Sequence, residues 1–154
     1  MKKFIFFLYP FFLYANYSDS GPHEVVISVD NFTLSSGQSI EYTLYTPADI
    51  NHITQVTLVH AFSRNMDSYY ELAEHYASWG LGVITMNLFY SSIFDNDPFQ
   101  DVIDLREVSD YFSDGRPVIY IGHSAGAMRA IVAATEDTNA IAILGLDLTD
   151  GAYE

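Results

Sequence analysis

Val118-Ile119-Tyr120-Ile121 runs directly into Gly122-His123-Ser124-Ala125-Gly126, and small, helix-compatible residues continue to Ala134. An apolar strand, a Gly-x-Ser-x-Gly turn and a helix, in that order, can present a serine hydroxyl as a nucleophile. The serine then sits on a strained strand-to-helix turn at the carboxyl end of its strand, where open α/β sheets bind ligands. Glycines at 122 and 126 suit a turn whose crowded backbones leave little room for a Cβ. A bare Gly-x-Ser-x-Gly also arises by chance in structural turns, but here both flanks match what the chemistry needs.

A lone hydroxyl is a weak nucleophile. Acyl transfer also needs a general base, an acid to orient it and donors for the developing oxyanion. The Ala125 N–H follows the serine and opens a helix, whose N-terminus favours negative charge. Of the five histidines (His23, His52, His60, His75 and His123), none follows Ser124. His60 stands at a strand end and reads as a loop-supporting residue, the alternative being a catalytic base. His123 fills the variable slot of the turn and is expected to pack beneath it. There is no His-x-His or His-Glu-x-x-His, so no metal site is implied. The pairs Asp95/Asp97 and Asp101/Asp104 read as a solvated face rather than calcium ligands. No phosphate-cradling glycine loop is present, and no cofactor is implied.

The elements that must position these groups can be read from periodicity. Glu24 to Asp30 and Ser39 to Tyr45 alternate as an antiparallel pair around the turn-rich Leu34-Ser35-Ser36-Gly37, and Thr46-Pro47-Ala48-Asp49 ends the second strand. Val56 to His60 is a short buried strand. Ser68-x-x-Glu71 reads as a capping box opening a helix that buries Tyr69, Leu72, Ala73, Tyr76 and Ala77 and stops at Gly80. Leu81 to Met86 is a strand. Val102, Leu105, Val108 and Phe112 mark a helix ending at Asp114-Gly115. Pro117 to Ile121 leads into the turn, Ala127 to Thr135 is the helix behind it, and Ile141 to Leu146 is the last strand. This order predicts an α/β fold with a doubly wound, mostly parallel sheet. Ile141, Ile143 and Leu144 would leave that strand as an apolar edge that further strands are expected to cover, so the domain reads as truncated after its sixth strand.

Residues 1–20 read as a secretory signal peptide, with Lys2 and Lys3 ahead of the apolar run Phe4 to Tyr14. The alternative is a membrane anchor, but the run is short of the ~20 apolar residues that span a bilayer. The expected product is exported to a periplasmic or extracellular location, without stable membrane insertion after leader cleavage. Residues 21–154 read as one domain, incomplete at its C-terminus. Cysteine is absent, so no disulfide staples it. The formal net charge is −14, and without the leader lysines four arginines face twenty acidic residues. That balance argues against nucleic acid and anionic membrane surfaces as partners.

The loop Leu58-Val59-His60-Ala61-Phe62-Ser63-Arg64-Asn65, taken with the Ser124 turn, resembles the His-Gly-Phe loop of bacterial chlorophyllase-like and dienelactone-hydrolase-like α/β-hydrolases, a group that includes polyester hydrolases. The resemblance implies that the Phe62 N–H is the second oxyanion donor and that its ring floors an acyl pocket; an ordinary core aromatic is the alternative. Ala61 stands where the family has glycine. Ile143-Leu144-Gly145-Leu146-Asp147-Leu148-Thr149-Asp150-Gly151 is similar to the family's Gly-Leu-Asp-Pro-Val-Asp-Gly stretch, with Leu148 replacing proline. It implies Asp147 as the triad acid and Asp150 as the fallback. The function implied is a secreted serine hydrolase of small-molecule or polymeric carboxylic esters, with Ser124 as nucleophile. The alternative is an inactive hydrolase retained as a hydrophobic-ligand or protein-binding module.

In this fold the histidine follows the acid in sequence, and these 154 residues carry none there. Alone they are expected to hydrolyse esters on the order of 10⁴- to 10⁶-fold more slowly than a complete triad. Robust hydrolysis by the 154-residue chain that vanishes in Ser124→Ala would refute this.

Overall fold

The fold was obtained as a computed structural model that describes residues 17–89 and 97–148. In chain order the elements are β1 (Val25–Thr33), β2 (Ser39–Pro47), β3 (Gln55–Val59), a 3-10 helix (Met66–Tyr69), α1 (Tyr70–Ser78), β4 (Gly82–Met86), α2 (Pro98–Ser113), β5 (Val118–His123), α3 (Ala125–Glu136) and β6 (Ala140–Leu146). They form one sheet in the order β1-β2-β4-β3-β5-β6. The β1/β2 and β2/β4 pairs are antiparallel; β4/β3, β3/β5 and β5/β6 are parallel. This is the expected doubly wound, mostly parallel sheet.

Side-chain alternation along the strands sorts the core into two layers. Val56 and Leu58 of β3, Val83 of β4 and Ile119 and Ile121 of β5 meet Ala73 and Ala77 of α1. On the opposite face Val59, Ile84, Met86, Val118 and Tyr120 meet Val102, Leu105 and Val108 of α2 and Ala130, Ala133 and Ala134 of α3. Helices on both faces explain why β3 and β4 are buried at every position.

Helix ends follow local chemistry at most points. Gly80 is left-handed (φ 93°), and its N–H reaches the Ala77 carbonyl at 2.9 Å. Asp114 and Gly115, at φ 49° and 77°, turn the chain out of α2. At the start of α2, Asp97 Oδ1 accepts from the Phe99 and Gln100 N–H groups, both at 3.1 Å, with Pro98 next in line.

Two sequence expectations are corrected. Ser68 caps no helix: its Oγ donates to Asn65 Oδ1 inside the 3-10 turn, and α1 begins at Tyr70 without a side-chain cap. A tertiary tether, the Met66 N–H donating to Asn87 Oδ1 at 2.8 Å, has already wound the chain there. Asp101 and Asp104 are not a solvated face. Both are buried in α2, on the side that carries Val102, Leu105 and Val108. Asp101 Oδ2 accepts from Arg129 Nε of α3 at 2.7 Å, and neither side chain is exposed. Opposite charge supplied from α3 is what makes a carboxylate tolerable there. Asp95 lies outside the described residues.

β6 forms one edge of the sheet, and Ile141, Ile143 and Leu144 along it are exposed. The leader expectation falls almost wholly on residues outside the described ones. Tyr17 packs against Trp79, with ring centroids 4.8 Å apart and planes tilted by 44°, and Trp79 Nε1 donates to the Asp19 carbonyl.

Backbones crowd together where β5 turns into α3. A Cβ on Gly122 would collide with the Gly126 carbonyl, and one on Gly126 with the carbonyls of His60 and Val59. All of these obstacles are backbone and cannot swing aside. In equilibrium denaturant unfolding, Gly126→Ala is therefore expected to lose about 2 kcal/mol or more. Gly145→Ala would place its methyl 3.6 Å from Ala127 Cβ, an ordinary contact, and should stay within about 1 kcal/mol of wild type. Equal stability of the two variants would contradict this packing.

Candidate active site at the β5–α3 turn

Ser124 lies between the last residue of β5 and the first of α3, at φ 53° and ψ −124°. A non-glycine residue in that region stores on the order of 1–3 kcal/mol and persists only where its surroundings over-determine it. Here they do. The Ser124 N–H donates to the Leu146 carbonyl of β6 at 2.8 Å, and its own carbonyl accepts from the Ala127 N–H at 2.9 Å. The two glycine contacts close the turn from below. Ser124 is half-buried and stands at the carboxyl end of the parallel strands. Ala125 is the first helical residue, and its N–H is among those with no intrahelical acceptor.

The loop after β3 abuts this turn, because β3 pairs with β5 up to Val59↔Gly122. The Arg64 N–H donates to the Ala61 carbonyl at 3.1 Å, closing a turn over Phe62 and Ser63. Ser63 takes φ 54°, as the third residue of a type II turn requires. The turn's own hydrogen bond leaves the Phe62 N–H unused. His60 adds a second donor, with Nδ1 2.8 Å from the same Ala61 carbonyl. A trans peptide carries its C=O and N–H in opposite directions. Pinning the Ala61 oxygen from two sides therefore aims the Phe62 N–H the other way. The Phe62 side chain is half-buried.

Both ring nitrogens of buried His60 are committed. The Leu88 N–H donates to Nε2 at 3.1 Å, so Nε2 carries the lone pair and Nδ1 carries the proton. His60 is thus a support of the loop, as the sequence suggested, and offers Ser124 no basic nitrogen. Burial pushes its pKa down, the Arg129 charge pushes the same way, and the Ala61 bond partly opposes them. His123 is not packed away beneath the turn. It is half-buried on the α1 face, with Nδ1 2.7 Å from the Tyr69 hydroxyl. Sequence periodicity assigned Tyr69 to the helix core and gave no sign of that bond. His23 sits 2.7 Å from Asp49, away from the turn.

Asp147 follows β6 directly, one residue after the carbonyl that holds the Ser124 N–H. It is exposed and left-handed, at φ 49°. Serine and aspartate thus leave adjacent parallel strands side by side, through His123↔Leu146. The sequence-predicted Ser124, Ala125, Phe62 and Asp147 all stand on three neighbouring strand ends. Asp150 lies outside the described residues.

No family model matches the chain, and no curated protein matches its sequence. Solved structures do match its fold. Brefeldin A esterase, a bacterial homologue of human hormone-sensitive lipase, superposes with a TM-score of 0.61 at 17% identity over 73% of this chain and 35% of that one. The α/β hydrolase GrgF from Penicillium sp. sh18 gives 0.68 at 14% identity over 80% of this chain and 46% of that one. A thermostable carboxyl esterase from Bacillus coagulans gives 0.62 at 19% identity over 77% and 43%. The fold is therefore of the α/β-hydrolase type, and the chain spans less than half the length of these structures.

The depressed pKa of His60 gives stability a pH dependence. The unfolded chain takes up the proton first, so the stabilisation by neutral His60 is intact above about pH 6.5 and declines as the pH falls below it, by at most about 1.4 kcal/mol per pH unit. The stability difference between wild type and His60→Gln should therefore shrink as unfolding is measured from about pH 7.5 down to about pH 5. A pH-independent difference would contradict the assigned protonation state.

Proposed function

We propose that these residues form the nucleophile-bearing part of an exported serine hydrolase of carboxylic esters, of the chlorophyllase-like or dienelactone-hydrolase-like kind. The observation that carries this reading is the strained backbone of Ser124 at φ 53°, ψ −124°, closed by Gly122 and Gly126 at a strand–helix junction. A structural turn has no need to store that strain. The esterase names among the fold's neighbours support the reaction class. The Phe62 loop and the Asp147 strand end support the finer family.

Ser124 Oγ attacks the ester carbonyl while a histidine outside these residues removes its proton. The carbonyl oxygen becomes an oxyanion held by the Phe62 and Ala125 N–H groups. The imidazolium, oriented by Asp147, passes the proton to the departing alkoxide, leaving an acyl-serine and a free alcohol. Water, deprotonated by the same histidine, then releases the carboxylic acid and regenerates Ser124. The binding-module alternative wants an apolar cleft under Phe62. Among the described residues, one groove of about 620 Å³ lies beside α1 and is lined by His23, Glu24, Glu71, Glu74 and His75.

The test is ester hydrolysis by the protein translated from its whole reading frame. Ser124→Ala is expected to lower kcat by about 10⁴-fold or more, and Asp147→Asn by about 10²- to 10⁴-fold, with KM little changed. Undiminished hydrolysis in Ser124→Ala would remove the reading; loss in Ser124→Ala alone would keep the nucleophile and reject Asp147.

A further inference from the structure

We propose that Asn87 is a positioning residue: together with Leu88 it clamps both ends of the loop from His60 to Met66, and so fixes the direction of the Phe62 N–H. The catalytic consequence rests on the serine-hydrolase reading above; the clamp itself does not.

The clamp is built from consecutive residues just past β4. At the start of the loop, the Leu88 N–H donates to His60 Nε2 at 3.1 Å. At its end, Asn87 Oδ1 accepts from the Met66 N–H at 2.8 Å. Met66 opens the 3-10 helix, and Asn65 before it supplies no side-chain cap. The first N–H of a helix has no acceptor within the helix, and Asn87 supplies one from 21 residues away. The Met66 side chain is buried, and its Sδ accepts from Thr43 Oγ1 of β2 at 3.5 Å.

Asn87 can serve as a fixed post because the sheet holds it. Its N–H donates to the Glu41 carbonyl at 2.9 Å, one step past the Tyr42↔Met86 pair of β2 and β4. Its Nδ2 donates to Glu41 Oε2 at 2.7 Å. A side-chain amide has one acceptor oxygen and one donor nitrogen. A carboxylate on one side and a backbone N–H on the other therefore allow it a single orientation. Leu88 is buried in the core shared with α2 and α3. The loop beyond Val59, by contrast, has left the β3–β5 ladder. Between the clamped ends, the bond from Arg64 to the Ala61 carbonyl closes the turn that carries Phe62. A closed turn moves as a unit, so the Phe62 N–H points where the two ends are held. An oxyanion donor works only at hydrogen-bond distance from the developing charge, so a loop free to shift would lose transition-state stabilisation first.

The test uses the protein translated from its whole reading frame. Asn87→Leu is close in shape and removes both side-chain contacts. It should lower kcat about 10-fold with KM within about twofold, because the donor it misplaces acts in the transition state. The exchanged pair, Asn87→Asp with Glu41→Gln, keeps an acceptor facing Met66 and a donor–acceptor contact between the two side chains. It should return kcat to within about threefold of wild type. Wild-type kcat in Asn87→Leu, a loss confined to KM, or an exchanged pair about 10-fold slow overturns the positioning role. If Asn87→Leu fails to fold, the exchanged pair alone decides by the same limits. In wild type the Met66 amide should exchange its hydrogen about 10²-fold or more below the unstructured rate; exchange at that rate overturns the clamp. If hydrolysis survives Ser124→Ala, the serine-hydrolase reading falls while the Met66 amide still decides the clamp.

Discussion

The site depends on one steric constraint: the backbones of β3, β5 and α3 approach too closely for a side chain at Gly122 or Gly126. With no room to open, the chain passes from strand to helix in a single residue. That residue, Ser124, takes a backbone conformation that its own Cβ disfavours. The same approach sets the carbonyls of Val59 and His60 against the start of α3 and so brings the loop after β3 beside the first amides of the helix. The Ser124 hydroxyl position and the Phe62 and Ala125 amides are neighbours because the packing that strains Ser124 also delivers the loop after β3.

What the packing leaves undetermined, polar contacts fix. The Ala61 oxygen takes two hydrogen bonds, from Arg64 and His60, and His60 is held in turn by the Leu88 N–H beyond the end of β4. An imidazole with both nitrogens satisfied in an apolar setting has a defined tautomer and a defined plane. Behind it the Arg129–Asp101 pair locks α3 to α2. A lone partner there would be an uncompensated buried charge, so the pair holds the register of the two helices more than it adds net stability.

Much of this was legible in the sequence. The strand–turn–helix around Ser124 is local, and its glycines carry the steric requirement in their identity. Helix stops at Gly80 and Asp114-Gly115 were equally local. The misses were tertiary. The apparent cap at Ser68 lost to a tether between Met66 and Asn87, 21 residues apart in the chain. Asp101 looked solvated because nothing in its neighbourhood shows that Arg129 will meet it across α2 and α3. Tyr69 fitted the apolar stripe of a helix, and only the fold reveals that its hydroxyl reaches His123, 54 residues on. Side-chain polarity that is satisfied at long range leaves no periodic trace.

The most direct test of the central claim is to treat the protein translated from its whole reading frame with a fluorophosphonate and locate the adduct by peptide mass spectrometry. A single adduct on Ser124, absent when the protein is unfolded first, is the expected result, because the strained turn and the two donors together create the reactivity. An adduct on another residue, or intact ester hydrolysis with Ser124 unmodified, would contradict the assignment of Ser124 as the nucleophile.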